Sequence, residues 1–372
     1  MIMSGGARAR RVHTSARRQG TVMPSVFTPL RRRVLVAGAA AVSLGLLVTG
    51  CGSDEKKDDA AGSASKAPAG AFPVTIKSAL GEAVIKDRPK RVVTLGQGSA
   101  ETAIALGNVP VGIEEYPWGS DKTGYLPWIH EAVTKSGAAL PKQFKGGEEL
   151  DIEAITELEP DVILAPWSGI TQKQYDVLKD IAPTVAYPEK AWSTNWDQQI
   201  EIVAKALGQP EKAKELEAKI DKQLADAAAS RPNYKNVTFS YIYNTGPGTL
   251  GVFKPEEQRV AMVSKLGLKV DPVVNTFKET EGTDSALIGL ENANKLANSD
   301  IAFTFYMDEK SRKTVEAQPL YAAIPAVKKG ALVYSHDTPF VTASSMINPL
   351  TVPYSIERYL PMIDKAVAKA GK

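Results

Sequence analysis

The chain has 372 residues, of which 45 are basic and 42 acidic, for a formal net charge of +3. Eight arginines and no acid lie in residues 1–50, so the remainder carries 37 basic against 42 acidic residues, a net of −5. A nucleic-acid role therefore lacks its electrostatic basis, and one cysteine with two downstream histidines, His130 and His336, excludes a structural zinc or iron–sulfur site.

Arg31-Arg32-Arg33 precedes an uninterrupted apolar run, residues 34–48, and Val48-Thr49-Gly50-Cys51 follows. A positive segment, a short apolar segment and small residues at a cleavage point make a secretory signal. Met23 alone would open a compact one. The run contains Gly38 and Gly45 and is short for a membrane-spanning helix of ~20 residues. A cysteine at this position resembles the lipobox of bacterial lipoproteins. That resemblance implies a diacylglycerol on Cys51, export, and a lipid tether to the membrane. Residues 51–71 read as the lipidated Cys and a Gly/Ser/Ala/Lys/Asp-rich flexible tether. With Cys51 lipidated no disulfide forms, and stability must come from a core. About 300 residues remain, enough for two domains of ~150.

Order is expected from Phe72. Residues 91–95 form a short β-branched strand, 99–106 a helix closing at Gly107, and 109–113 a second strand. Residues 151–158 read as a helix with an Asp cap, because Ile152, Ile155 and Leu158 share a face. Residues 161–165 are a buried strand, 172–180 a helix and 184–187 a strand. From 196 to 229 the pattern is helical only. One helix ends at Gly208, and Pro210 restarts a second of ~19 residues, ~28 Å long. Alternation then resumes: strand 237–243, helix 256–266, helix 287–296, strand 301–306, helical turn 321–328, strand 331–334, and a closing helix 352–370 broken at Pro361. The fold class is α/β: two Rossmann-like lobes, 72–195 and 232–372, bridged by linker helices at 196–231, with mostly parallel sheets.

This layout resembles the helical-backbone (class III) substrate-binding proteins of ABC importers. The stretches that carry the match are Arg91-Val92-Val93 through Val109-Pro110-Val111-Gly112; Asp151-Ile152-Glu153 through Val162-Ile163-Leu164; the long helix; Leu290-Glu291 through Phe303; and Ala326 through Tyr334. The resemblance implies ligand capture in the cleft between the lobes. It also implies an ABC permease as partner, a monomer, and no enzymatic activity. The family takes up ferric siderophores, haem, cobalamin and some metal ions.

Ligand in such a fold sits beyond the carboxyl ends of the strands. The segments there are aromatic, and the candidate ligand-binding residues are Trp118, Tyr125, Trp128, Trp167, Tyr243, Phe253, Arg259 and Tyr306. Trp118, Trp128 and Trp167 sit beside Pro or Gly, as in loops, which suits a large, partly apolar ligand. Arginine is scarce after the signal, so a highly anionic ligand lacks the forked donors it would call for. A neutral or cationic ferric hydroxamate tolerates such a site. The chain resembles the hydroxamate branch, particularly actinobacterial desferrioxamine-type receptors. One departure is that the Arg often found before the helix at 151–158 is replaced near Gly147, where Lys142 or Lys145 could substitute. There is no intrinsic cofactor, since ferric iron is carried within the siderophore. Haem or cobalamin is the alternative ligand. By resemblance, Asp176 matches a permease-docking acid of the N-lobe. An exported enzyme is the rival class, but Ser335-His336-Asp337 is consecutive and cannot form a triad, and no Gly-x-Ser-x-Gly elbow is present.

Overall fold

The computed structural model describes residues 71–281 and 283–372. The signal peptide, Cys51 and all but the last residue of the tether lie outside them. A hairpin of β1 (Val74–Ser78) and β2 (Gly81–Ile85) leads into the N-lobe. There follow β3 (Val92–Thr94), α1 (Ser99–Ala105), β4 (Gly112–Glu114), α2 (Pro127–Lys135), β5 (Lys142–Phe144), α3 (Ile152–Glu157), β6 (Val162–Leu164), α4 (Gln172–Ile181) and β7 (Thr184–Val185). All five strands from β3 to β7 are parallel, in the order β5-β4-β3-β6-β7. The triplets Val92–Thr94 and Val162–Leu164 are wholly buried, as expected for strands covered on both faces. Asp151 caps α3 by accepting from the Ala154 N–H at 3.0 Å, and Thr171 with Gln174 forms a capping box on α4. The strand order reverses between β3 and β6, which opens a crevice beyond their carboxyl ends.

Two helices leave the N-lobe, α5 (Trp196–Ala206) and α6 (Pro210–Ala229). Pro210 opens α6 in its first turn, where its missing N–H costs nothing. The C-lobe runs β8 (Thr238–Tyr243), β9 (Gly251–Phe253), α7 (Gln258–Lys265), β10 (Lys269–Val270), β11 (Ser285–Leu287), β12 (Ile301–Phe305), α8 (Glu309–Glu316), α9 (Pro319–Ala322), α10 (Pro325–Lys328), β13 (Leu332–Ser335), α11 (Thr338–Ala343) and α12 (Thr351–Ala370). Its sheet is mixed. Strands β8, β10, β12 and β13 are parallel, whereas β9 pairs antiparallel with β8 and β11.

One apolar core passes from Val92 and Val162 in the N-lobe through Ile200, Ile220 and Leu224 of the linker to Phe239, Phe303 and Tyr359 in the C-lobe. The lobes thus share an interior instead of hanging on a bare strand. Asp364 of α12 fastens the exit of α6: it accepts from the Tyr234 hydroxyl at 2.6 Å and pairs with Arg231 at 3.2 Å. On another side, Ala343 and Tyr354 of the C-terminal helices pack with Trp128 and Ile129 of α2. The Trp128 and Tyr354 rings lie 5.4 Å apart.

Two expected elements differ. Helix α12 runs unbroken through Pro361. Pro361 and Glu357, whose carbonyl loses its helical donor, are both exposed, so water can serve that group. The helix expected at 287–296 is instead the end of β11 followed by a 3-10 turn, Leu290–Leu296. There the Asn292 side chain donates to the Ile288 carbonyl at 2.8 Å, a local bond that competes with regular helix.

Candidate functional site

The carboxyl ends of both sheets face one cleft of about 280 Å3. From the N-lobe, Gln97 follows β3, Tyr116 and Trp118 follow β4, Trp167 follows β6, and residues 192–195 follow β7. The C-lobe contributes residues 256–259 at the start of α7, Asp284, Phe305, and a wall from α11 onward that includes Val341, Thr342, Ser345 and Met346.

Trp167 and Trp192 meet edge to face with centroids 4.8 Å apart. Two glycines make room for them. Gly96 has φ 71°, and a Cβ there would lie 1.9 Å from the Trp167 carbonyl oxygen. A Cβ at Gly169 would lie 2.4 Å from the Trp192 indole. Trp192 itself holds φ 62°, a costly conformation for a bulky residue. Its N–H bonds the Ser168 carbonyl at 3.2 Å, and its side chain is 50% exposed at the cleft.

Arg259, in the first turn of α7, is the one cation of the cleft lining among the described residues. Its guanidinium lies 4.3 Å from the centroid of Phe253 and 5.8 Å from that of Phe305. Its Nε donates to Ser345 Oγ at 3.2 Å and approaches Glu257 at 3.5 Å. Three carboxyls share the lining with it: Glu256, Glu257 and Asp284. Burial pushes the Glu257 carboxyl above its ordinary range, and Arg259 offsets part of that rise. The balance of fixed charge in the cleft is therefore acidic.

Of the candidates read from sequence, Trp118, Trp167 and Arg259 line this cleft. Phe253 lies behind it, under Arg259 and 4.7 Å from the Tyr243 ring. The Tyr243 hydroxyl is engaged with Ser285 at 3.0 Å. Tyr306 faces the other way. Side chains alternate along a strand, so Phe305 reaches the cleft while Tyr306 is buried and bonds the Tyr321 hydroxyl at 3.0 Å. Trp128 is helical, not in a loop, because Pro127 opens α2. The ring is 4% exposed, and its Nε1 donates to Glu101 at 2.9 Å. Tyr125 packs beside that core and donates to the Pro141 carbonyl at 2.9 Å. Lys142 and Lys145 are exposed and do not line the cleft. Asp176, its side chain 48% exposed on α4, pairs with Lys179 at 2.6 Å and is held below the usual carboxylate range by that bond.

Sequence reasoning missed the acids of the cleft and the wall from Val341 to Met346. Trp192 was not among its candidates. The Ser335 hydroxyl accepts from the Asp337 N–H at 3.0 Å, a turn and not a catalytic relay. Among the described residues, no group of three or more His, Cys, Asp or Glu side chains is placed to hold a metal. No described helix is long and apolar enough to cross a membrane.

Two α/β lobes braced by a helix, with an aromatic cleft between their strand ends, define a two-lobe ligand-binding protein. The sequence matches the periplasmic binding protein family over residues 92–339. The chain belongs to that family. It is similar to the pneumococcal PiaA of Streptococcus pneumoniae TIGR4, solved in complex with ferrichrome, at 30% identity and a TM-score of 0.71, covering 79% of this chain and 99% of that one. The probable siderophore-binding lipoprotein YfiY of Bacillus subtilis is 26% identical, over 81% of this chain and 90% of the relative. The iron(3+)-hydroxamate-binding protein YxeB of the same organism is 24% identical, over 92% and 99%.

Proposed function

We propose that the chain is the lipid-anchored, extracellular substrate-binding component of an ABC importer. It captures a ferric siderophore of hydroxamate type, ferrioxamine-like, and delivers it to a membrane permease. It is a binding protein and not an enzyme. The observation that carries the ligand class is the charge of the cleft: one guanidinium, already leaning on Glu257, among Glu256, Glu257 and Asp284. A tris-catecholate or citrate complex of iron brings several negative charges and would meet Glu256 and Asp284 with one forked donor that already leans on Glu257. A ferric hydroxamate is neutral or cationic. Its iron is fully coordinated, so the protein needs no metal ligand of its own, only shape, aromatic faces and a few hydrogen bonds. The ferrichrome complex of PiaA and the name of YxeB support the same class. For haem, an axial His or Tyr would be wanted; neither His130 nor His336 lines the cleft, and Tyr116 is its one phenol.

The test is quenching of intrinsic tryptophan fluorescence on titration with ferrioxamine B, ferric enterobactin, haem and cobalamin. Saturable quenching by the ferrioxamine alone is expected. Quenching by ferric enterobactin alone would overturn the ligand class while leaving the fold-based reading intact. Anchoring through Cys51 is tested by Cys51→Ala, which should move the protein from membrane to medium. The Asp176 contact to a permease is tested by Asp176→Lys, which should lower uptake by whole cells and leave ligand affinity intact.

A further inference from the structure

A second cavity of about 120 Å3 opens off the N-lobe side of the cleft, sharing Gln97, Tyr116, Trp167 and Trp192 with it. Its walls are Ala100, Ile113, Leu126 and Ile129, and its polar groups include the carboxyls of Glu101 and Glu114. Among the described residues, no Lys, Arg or His lines it. The volume is below the ~150 Å3 that accepts a benzene ring, so it fits a slender chain and not a second aromatic ring.

The two acids are not equivalent. Glu101 is 2% exposed and has both oxygens engaged, one by the Trp128 Nε1 at 2.9 Å and one by the Gly98 N–H at 2.9 Å. Glu114 is only half-buried; it accepts from the Gly96 N–H at 2.7 Å through Oε2 and also from the Gly147 N–H. A carboxylate offers about four acceptor positions, so Glu114 keeps capacity for a further donor. Burial pushes its carboxyl above the ordinary range, and a cation brought beside it would reverse that tendency. An aliphatic chamber that carries an acceptor in its lining and no cation among the described residues matches an alkyl chain with a positively charged tip.

Resting on the reading of the cleft given above, we propose that this side chamber is a subsite for a primary alkylammonium arm of the ligand, which passes the Trp167–Trp192 pair and ends on Glu114. The iron complex stays in the main cleft, and the arm sets which hydroxamates are preferred.

Two ferric hydroxamates that differ only at the arm test this: ferrioxamine B, which ends in a primary amine, and its N-acetylated form. The wild-type protein should bind the amine form about tenfold more tightly or better, as expected for a charge-assisted hydrogen bond. In Glu114→Gln the preference should collapse to within twofold. Ala100→Leu, which fills the chamber without touching charge, should weaken the amine form relative to ferrichrome, which has no free arm. Equal wild-type affinity for the two ferrioxamines, or an undiminished preference in both variants, would overturn the subsite while leaving a hydroxamate receptor standing. Failure of either ferrioxamine to bind would overturn the ligand class and the subsite with it.

Discussion

Trp128 Nε1 donates a 2.9 Å hydrogen bond to Oε1 of Glu101, and both side chains are almost wholly buried. The pair joins α1 to α2 beneath the cleft, and the other Glu101 oxygen takes the Gly98 N–H at the start of α1. Trp128→Phe would keep most of the apolar volume and strand a carboxyl oxygen. A loss of roughly 1–3 kcal/mol of stability is expected, measured as a lower urea midpoint with unchanged slope. Affinity for ferrioxamine B should stay within a few fold, because Trp128 does not line the main cleft.

Trp167→Ala and Trp192→Ala should each weaken binding by roughly 1–3 kcal/mol, since each ring offers a face to the ligand. Tyr306→Phe is the contrast. Its hydroxyl serves Tyr321 and Glu316 inside the C-lobe, so stability should fall by about 1 kcal/mol and affinity should hold. A tryptophan variant that binds as the parent does would remove that ring from the site.

Gly169→Ala tests the seat of Trp192. The added methyl meets the indole at 2.4 Å, so the ring must shift from its place beside Trp167. Ligand affinity should fall nearly as far as in Trp192→Ala, and the tryptophan emission of the unliganded protein should shift. Unchanged emission and affinity would show that the ring is not held where the structure puts it.

Arg259 can be separated into charge and shape. Arg259→Ala removes the donor and leaves Glu257 in the cleft without its cation; a loss of roughly 1.5–3 kcal/mol in binding is expected. Arg259→Lys restores the charge but not the flat guanidinium on Phe253. It should recover less than half the loss, read by the same titration.

Acidity should act on stability with a definite sign. Burial raises the carboxyls of Glu101, Glu114 and Glu257. Between the ordinary carboxylate range and their raised values the folded protein binds more protons than the unfolded chain. Their contribution is therefore full at low pH and is lost as pH rises through the raised values. Asp121 and Asp308 are held low by hydrogen bonds, and in Asp300 burial, which raises the carboxyl, is outweighed by the bonds from Thr238 and Lys372; their contribution disappears only on stronger acidification. Maximum thermal stability is expected near the acid end of the usual span of about pH 5 to 8. A profile that rises steadily from pH 5 to 8 would contradict this.

Much of the frame was legible because it is written in local signals. The Asp151 cap, the β-branched triplet of β3, the apolar triplet of β6, and Pro210 at the head of α6 are short-range features that tertiary packing did not override. The site was less legible because it is assembled from separate loops. Trp118 and Trp167 could be placed, since the residues after a strand's carboxyl end face the crevice. Tyr306 reads the same way in sequence, but one step along a strand turns a side chain to the opposite face. Pro127 looked like a loop marker and is a helix start. Glu256 and Asp284 carry no pattern of their own, and only the convergence of the α7 and β11 approaches brings them beside Arg259.

The shared interior through α6 and the separate Trp128–Tyr354 contact restrain the lobes from two sides. A vessel held in this way should keep its mouth nearly the same whether filled or empty. Capture then needs little rearrangement of the chain, and the entropy of ordering is already spent during folding. Encounter should be limited by diffusion and docking rather than by gating, with differences between ligands appearing mainly in how slowly they leave. If the chain hands its ligand to a permease as proposed, that partner has little gross movement to sense, and would have to read occupancy from a slight tilt between two surfaces or from the cargo at the opening.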